Sequence, residues 1–392
     1  MKIKEKVASI NGELLEIRRD LHKHPELSGK ELRTGRKICE YLDAWDIEYK
    51  YGIADTGVVG IIRGKKGEGK TVAIRADIDA LPIHEENELE FCSSKPGVMH
   101  ACGHDAHTTI LLGVAKILKS LENDICGNVK LLFQPAEEAI GGADRMIKAG
   151  CLENPKVDYA IGLHVMPNVP TGQVELKYGK LNGNSGSVRI RVHGESGHAA
   201  YPDKSIDSIV VASSIVTNLQ TLVSRNVSPL NSVVLTFGKI NGGEKANIIT
   251  DYVELEGTLR ALDTPTRTKV KGEIKRIANH TAEALGGRAE VIFKDGYVAL
   301  INDDAVVDVI KEAAQKVVGG QNIVYKEFPS MGGEDFSYFT EKVPSAFYHL
   351  GCMNDALGMN FPLHSKHFVL DEDALAIGVE VQINATLSLL EG

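Results

Sequence analysis

Apolar, strand-like runs alternate with amphipathic helices over the first part of the chain, and this alternation limits the fold more than any other feature. The apolar runs are 56–62, 71–77, 129–133 and 157–164, and the segments with helical spacing are 5–21, 29–45 and 108–121. Continuous apolar strands separated by helices are typical of a parallel sheet that helices cover on both faces. We therefore predict an α/β fold with a mainly parallel sheet flanked by helices.

The pattern changes after Gly183. Segments 187–193 and 251–260 alternate polar and apolar residues, so each of these strands should bury one face only. Further helices (206–223, 265–285) and strands (232–238, 289–293) complete the order βαββαβ. This order predicts a ferredoxin-like α+β layer with helices on one face and an open sheet on the other.

The first pattern resumes after this segment, with helices predicted at 303–318 and 371–390. We therefore predict one domain at 1–183 plus 297–392 and an inserted domain at 184–296. A chain of 392 residues is long enough for two domains of this size.

Composition excludes several classes of protein. A hydrophobic content of 43% with 25% charged residues is that of an ordinary globular protein, and a net charge of −9 disfavours binding to nucleic acid. The six cysteines are too sparse for a disulfide scaffold, so reduced thiols are expected. The N-terminal segment lacks the apolar region of a signal peptide, and no run reaches the ~18 apolar residues of a membrane span. We expect a cytoplasmic protein that binds neither membranes nor nucleic acid.

The segment 99–107 has the sequence MHACGHDAH and concentrates metal-ligand residue types. Cysteine and histidine bind zinc-like ions, and the glycine between Cys102 and His104 lets both side chains turn toward one centre. A buried cysteine beside a structural histidine is the commoner outcome for an arbitrary Cys-x-His sequence. Here the density of ligands favours a metal site, with Asp105 and His107 as partners that orient the ligands.

Other candidate ligands follow predicted strands. Asp77, the pair Glu137 and Glu138, and His164 each lie at the end of a strand, where open α/β sheets bind their ligands. Adjacent glutamates at a strand exit point in different directions, so one can bind metal while the other moves protons. Asp77 is predicted to orient a ligand, with Asp79 as the alternative, and His364 is a further ligand candidate near the C-terminus.

Ten stretches together resemble the aminoacylase/carboxypeptidase superfamily of dinuclear metallohydrolases, in the branch of hippurate hydrolase, indole-acetyl-amino-acid hydrolases and N-acetyl-diaminopimelate deacetylase. The resemblance covers essentially the whole chain. The stretches are LHKHPELS (21–28), RADIDALPI (75–83), MHACGHDAH (99–107), QPAEE (134–138), GLHV (162–165), GHAAYP (197–202), KANIITD (245–251), GTLR (257–260), GGEDF (332–336) and PLHS (362–365).

The resemblance implies a role for each matching residue. Two divalent metal ions, with zinc, manganese, cobalt or nickel as candidates, would share Cys102 as the bridging ligand. The other ligands implied are His104, Glu138, His164 and His364. Glu137 would be the general base. The inserted domain would be a lid of the kind found in related metallopeptidases, and homodimers or higher homo-oligomers would form through it.

Three residues of the inserted domain are implied to act on the substrate. His198, between a glycine and alanines, would stabilise the oxyanion. Arg260 lies on the polar side of its strand and would bind the substrate carboxylate, with Asn247 as its neighbour. Glu334 and Asp335 are expected to support the site.

These features together predict metal-dependent hydrolysis of N-acyl amino acids, with an acetyl, benzoyl or similar acyl group. One alternative is a dipeptidase or carboxypeptidase with the same chemistry. A second is an enzyme that uses Cys102 as nucleophile, which leaves the glutamate pair and the distant histidines unexplained. A third is a noncatalytic metal- or ligand-binding protein of this fold, against which Glu137 argues.

Overall fold

The computed structural model describes residues 3–139 and 141–391. Unit 1 comprises Met1–Gly179, Ile301–Phe328 and Asp335–Gly392, and unit 2 comprises Lys180–Leu300 and Pro329–Glu334. The helices are α1 (Ile3–Ser9), α2 (Asn11–Lys23), α3 (Leu32–Ala44), α4 (His104–Ser120), α5 (Gly142–Lys148), α6 (Ser208–Thr221), α7 (Thr264–Ala284), α8 (Asp304–Val318), α9 (Ser337–Thr340) and α10 (Asp373–Glu391).

The strands belong to two main sheets and two short pairs. They are β1 (Glu48–Ile53), β2 (Gly57–Arg63), β3 (Gly67–Asp77), β4 (Cys126–Gln134), β5 (Tyr159–Pro170), β6 (Val174–Leu176), β7 (Gly179–Asn182), β8 (Gly186–His193), β9 (Gly197–His198), β10 (Val233–Gly242), β11 (Ile248–Ile249), β12 (Tyr252–Ala261), β13 (Arg288–Asp295), β14 (Leu300–Asn302), β15 (Ile323–Tyr325) and β16 (Ser345–Met353).

The sheet of unit 1 has the strand order β1-β2-β4-β3-β5-β16-β6-β15. Its centre, β4-β3-β5-β16, is parallel, as predicted. Toward the edges, β1, β2 and β6 each pair antiparallel with a neighbour. For β1 and β2 the reason is the turn between them, which is too short for a parallel crossover. The carboxyl ends of the central strands therefore lie at one edge of the sheet.

Helices cover both faces of this sheet, and alternate residues of β5 show how. Ile161, Leu163 and Val165 belong to the main hydrophobic cluster together with residues of α4 and α10. Gly162 faces the opposite side, where an added Cβ would lie 3.0 Å from the ring of Phe336 at the start of α9. A larger residue at 162 would push this aromatic layer away from the sheet.

Helix α10 is the one described helix that is long and apolar enough to cross a membrane by length and composition alone. In the fold, 61% of its apolar window is buried. Its buried residues, among them Leu375, Val379 and Ile383, belong to the main cluster. Its apolar composition is therefore explained by its place in the core.

The sheet of unit 2 has the order β10-β12-β8-β13, and every pair is antiparallel. Residues Val188, Ile190 and Val192 of β8 pack with α6 and α7 in a second hydrophobic cluster. The alternate residues Arg189 and Arg191 lie on the other face and pair with carboxylates of β12. The α/β fold class with a ferredoxin-like second part is thus confirmed.

Three short segments differ from the boundaries expected from the sequence, since residues 180–183, 297–300 and 329–334 all group with unit 2. Backbone pairing joins two of them, because Ser330 accepts a hydrogen bond from the Gly183 N–H and donates one to the Leu181 carbonyl, both 2.8 Å. The division into a catalytic domain and an inserted lid at 184–296 remains a proposal.

Candidate metal centre

The donor residues of unit 1 gather at the carboxyl edge of the parallel strands. β3 ends at Asp77, and α4 begins at His104. The predicted strand 157–164 continues to Pro170 as β5, but its pairing with β3 stops at Gly162. His164 therefore lies just past the point where the pairing with β3 stops, level with Asp77, while β16 still pairs with it at His349.

Two groups of donor atoms share the Cys102 thiol. One group consists of Cys102, His104 and His164, the other of Cys102, Glu138 and His364, and within each group the donor atoms lie within 4.8 Å of one another. Cys102 Sγ is 3.3 Å from His164 Nε2, and His364 Nε2 is 3.2 Å from Glu138 Oε1. A thiol common to two such groups has the arrangement that a ligand bridging two metal ions requires.

Hydrogen bonds orient the histidines toward this centre. His164 Nδ1–H donates to the Val165 carbonyl at 2.7 Å, so Nε2 presents its lone pair to the centre. His104 Nδ1–H donates to Asp79 Oδ1 at 3.2 Å. His104 Nε2 is buried without a hydrogen-bond partner among the described residues. A buried ring nitrogen left without a partner, beside a thiol and carboxylates, fits a site that binds a cation.

The charges of the site also favour a cation. Burial alone would lower the pKa of His104, but the carboxylates of Asp77, Asp79 and Glu138 raise it to about 10. Burial, with Glu138 and Glu137 nearby, raises the pKa of the Cys102 thiol well above its usual value. Without a metal ion this thiol stays protonated, whereas a coordinated thiol loses its proton.

Glu137 and Glu138 both lie near His104 but differ in their other neighbours. Glu138 belongs to the group with His364, and its backbone N–H donates to Asp79 Oδ2 at 3.0 Å. Glu137 is 7% exposed and has a carboxylate oxygen within 4.8 Å of donor atoms of His104 and Glu138. A buried carboxylate beside the donor groups is placed to exchange protons with a water molecule there.

His364 is the most accessible of the candidate ligands, with 52% of its side chain exposed. Its backbone φ of 64° lies in the left-handed region, which is uncommon for a residue with a side chain. The His364 N–H donates to the Ala101 carbonyl at 2.9 Å, which ties this loop to the segment of Cys102. Strained backbone of this kind concentrates at functional sites.

The structure separates the roles of the two aspartates considered from the sequence. Asp79 contacts the ring of His104, whereas Asp77 accepts from His107 Nδ1–H at 2.6 Å and lies 3.7 Å from His104 Nε2. His107 Nε2 accepts the Val165 N–H at 2.9 Å, so both ring nitrogens of His107 are engaged. His107 supports the site and does not offer a free donor atom.

A buried network behind Asp77 was not predicted in detail. Arg75 donates to Asp77, Gln134 and Asp335, at 2.6, 2.8 and 2.8 Å. Asp335 also accepts the Ala143 N–H at 3.0 Å, so this expected support residue joins three segments of unit 1. An arginine inside an apolar strand was the available sequence signal, since a buried arginine needs partners. Glu334, which directly precedes Asp335 in the sequence, is buried in unit 2.

Asp105 was also placed differently from the expectation. Its carboxylate accepts from Arg18 Nε and His22 Nδ1, each at 2.9 Å. It therefore anchors α4 to α2 instead of orienting a candidate ligand. Arg18 and Asp105 are both buried, and each neutralises the other.

The three residues expected to act on the substrate belong to unit 2. His198 is exposed in β9, and its Nδ1 accepts the Ala200 N–H at 3.1 Å. The Asn247 carbonyl accepts the Ala199 N–H at 3.1 Å, so Asn247 lies beside the His198 segment. Arg260 is half-buried on β12, and its Nε donates to Thr258 at 3.4 Å.

Comparisons with known proteins agree on one family. Residues 73–387 match the profile of peptidase family M20/M25/M40. N-acetyl-L-cysteine deacetylase of Bacillus subtilis is 40% identical over 94% of this chain and 86% of its own. Thermostable carboxypeptidase 1 of Saccharolobus solfataricus is 39% identical over 96% of this chain and 95% of its own. The solved structure of YXEP from Bacillus subtilis, a dinuclear metal-binding peptidase of family M20, has a TM-score of 0.86 at 34% identity and covers 98% of this chain and 99% of that chain.

Proposed function

Because the chain belongs to peptidase family M20/M25/M40 and is a metal-dependent hydrolase of amide bonds, we propose that its substrates are N-acyl amino acids. The products are a carboxylic acid and an amino acid. The observation that carries the proposal is the pair of donor groups that share Cys102, with Glu137 beside them. The relative named N-acetyl-L-cysteine deacetylase, at 40% identity, supports an N-acyl amino acid as the substrate.

The residues that would hold two divalent metal ions are Cys102 as the bridge, His104 and His164 on one side, and Glu138 and His364 on the other. When bound, such ions polarise the amide carbonyl and lower the pKa of a water molecule. Zinc, manganese, cobalt and nickel all suit a set of thiolate, imidazole and carboxylate ligands.

Glu137 is the proposed general base. Its carboxylate accepts a proton from the attacking water and then delivers it to the nitrogen of the leaving amine. Asp77 holds His107 and balances Arg75, so its contribution is to keep the buried side of the centre in place. His198 is the proposed oxyanion donor, and Arg260 with Asn247 is proposed to bind the substrate carboxylate; the resemblance to related sequences supports these three roles.

A second candidate function is cleavage of a dipeptide or of a C-terminal residue, which the carboxypeptidase at 39% identity favours. The hydrolysis of the amide bond is the same, but a dipeptide carries a free amine where an N-acyl amino acid has none. A thiol-nucleophile mechanism is disfavoured, because a nucleophilic cysteine needs a lowered pKa and that of Cys102 is raised.

The test is dialysis against a chelator followed by reconstitution with each of the four metals. Hydrolysis of N-acetyl, N-benzoyl and dipeptide substrates is then measured. We expect no turnover without metal, restoration by at least one ion, and a preference for N-acyl amino acids. His104→Ala should not be restored, whereas the control His280→Ala, at an exposed histidine of α7, should behave as wild type. Full activity in metal-free protein would exclude the proposed mechanism.

We also propose a homodimer formed through unit 2 and a cytoplasmic location. Strand β10 is an edge strand of its sheet, and unpaired edges favour pairing with another chain. All six cysteines are free thiols, which suits a reducing compartment. Sedimentation of the intact chain, with a Val234→Lys variant on this strand, tests the dimer.

A further inference from the structure

The backbone directly before Glu137 is held in an unfavourable conformation. Ala136 has a φ of 57°, in the left-handed region, and is fully buried. For an alanine this conformation costs roughly 1–2 kcal/mol relative to ordinary backbone. The direction in which the chain presents Glu137 therefore depends on contacts that stabilise this turn.

A hydrogen bond and close packing provide part of this constraint. The Ala136 carbonyl accepts the Gly141 N–H at 3.0 Å, which ties Ala136 to the residues that follow the turn. Gly57 lies against Pro135, where an added Cβ would be 2.7 Å from the proline ring. Gly142 has no room for a Cβ either, because the Pro135 carbonyl occupies that space.

The Ala136 N–H has a partner that comes from the beginning of α3. Glu31 Oε1 accepts this N–H at 2.9 Å and also accepts the Gly29 N–H at 2.8 Å. The other oxygen, Oε2, accepts the Thr56 hydroxyl at 2.7 Å. Glu31 is 0% exposed, and its carboxylate accepts these three hydrogen bonds without a salt bridge to any cation among the described residues. Burying a carboxylate without a cation costs free energy, and these hydrogen bonds offset part of that cost.

From this contact we infer that Glu31 is a positioning residue, which acts on the reaction by fixing Ala136 and thereby the direction of the Glu137 carboxylate. The inference rests on the proposed role of Glu137 as the general base. Glu138 has a separate support, since its own N–H is held by Asp79, and Ser28 donates to the same Asp79 oxygen at 2.6 Å. Loss of the Glu31 contact should therefore affect proton transfer more than metal binding.

The length of the side chain at position 31 should matter more than its charge. Glu31→Asp keeps the charge but is one methylene too short to reach Ala136, Gly29 and Thr56 together. Glu31→Gln keeps the length, and its carbonyl can still accept the Ala136 N–H while its amide donates to the Thr56 oxygen. We expect kcat to fall at least about tenfold in Glu31→Asp and to stay within about threefold of wild type in Glu31→Gln. Metal content and KM should be close to native in both.

Thr56→Val is the matched control, because it removes a partner of the same carboxylate and leaves the bond to Ala136. It should lower the midpoint of thermal unfolding without lowering kcat. A double-mutant cycle gives the second readout. If Glu31 acts through Glu137, Glu31→Asp should reduce turnover less than about twofold in a Glu137→Gln background, because coupled residues are not additive.

The outcomes separate the inference from the function on which it rests. Native turnover in Glu137→Gln would reject Glu137 as the base, and the inference with it. If Glu137→Gln is impaired as proposed, the inference alone is overturned by native kcat in Glu31→Asp, by a greater loss in Glu31→Gln than in Glu31→Asp, or by losses that multiply in the double variant. The inference is supported if kcat is lower in Glu31→Asp than in Glu31→Gln, and if Glu31→Asp causes almost no further loss of turnover in the Glu137→Gln background.

Discussion

At the scale of single residues, Glu137 and Glu138 are adjacent in the chain and both lie near His104, but Glu138 also belongs to the group of Cys102 and His364. The Glu138 carboxylate lies 3.2 Å from His364 Nε2 and shares a donor group with Cys102. We expect Glu137→Gln to keep near-native metal content and to lose at least ~10²-fold in turnover, the scale of a lost acid–base catalyst. Glu138→Ala should lose metal. Metal content and turnover are measured for both variants, with Glu88→Gln at an exposed glutamate as the control. If Glu137→Gln lost metal and Glu138→Ala kept it, Glu138 would be the general base and Glu137 the ligand.

The hydrogen bond of His198 determines which of its nitrogens can donate. Because Nδ1 accepts the Ala200 N–H, a neutral ring carries its proton on Nε2, as an oxyanion donor requires. His198→Ala is therefore expected to reduce kcat by roughly 10²–10³-fold, with metal content unchanged. The measurement is turnover at saturating substrate, compared with His280→Ala in the same unit. Equal kcat in His198→Ala and wild type would remove His198 from the mechanism.

At the scale of elements, the turn into α4 places both Cys102 and His104. Gly103 precedes the helix with a φ of 82°, and a Cβ there would collide with the Val165 side chain. Gly103→Ala should therefore combine backbone strain of roughly 1–2 kcal/mol with displacement of two candidate ligands. We expect metal affinity to fall at least about tenfold, as measured by titration of the metal-free protein.

Gly150 offers a matched comparison for this turn. It has a φ of 85°, but no atom lies within 4 Å of an added Cβ. Gly150→Ala should lower stability by a similar strain energy without changing metal affinity. If both variants bound metal equally well, the close packing of Gly103 against β5 would not matter for the site.

At the scale of the whole molecule, each unit has its own hydrophobic cluster. The candidate ligands all belong to unit 1, so metal should stabilise that unit alone. Metal at 100 times its Kd contributes about 2.7 kcal/mol, which corresponds to a shift in Tm of roughly 5 °C or more. We expect two calorimetric transitions, of which chelation lowers one. A single transition that shifts as a whole would show that the units unfold together.

Local sequence was sufficient for most elements. Strands and helices follow from apolar spacing. The starts of α6, α7 and α8 are also set locally, since the side chains of Asp207, Asp263 and Asp303 accept N–H groups of the first turn. The edge strand β1 was missed because its exposed residues carry no apolar run. The ligand residue types could also be predicted, since cysteine, histidine and glutamate at strand ends are a chemical signal in themselves.

Tertiary structure alone decided which of these residues meet and what holds them. Glu31 contacts Ala136 from 105 positions away, and Arg75 contacts Asp335 from 260 positions away. The choice of Asp79 over Asp77 as the partner of His104 likewise depends on how β3 and α4 pack. The sequence by itself determined the elements and the chemical groups, because periodicity and side-chain chemistry are local. It left these pairings open, because such contacts depend on the path of the folded chain and have no fixed spacing.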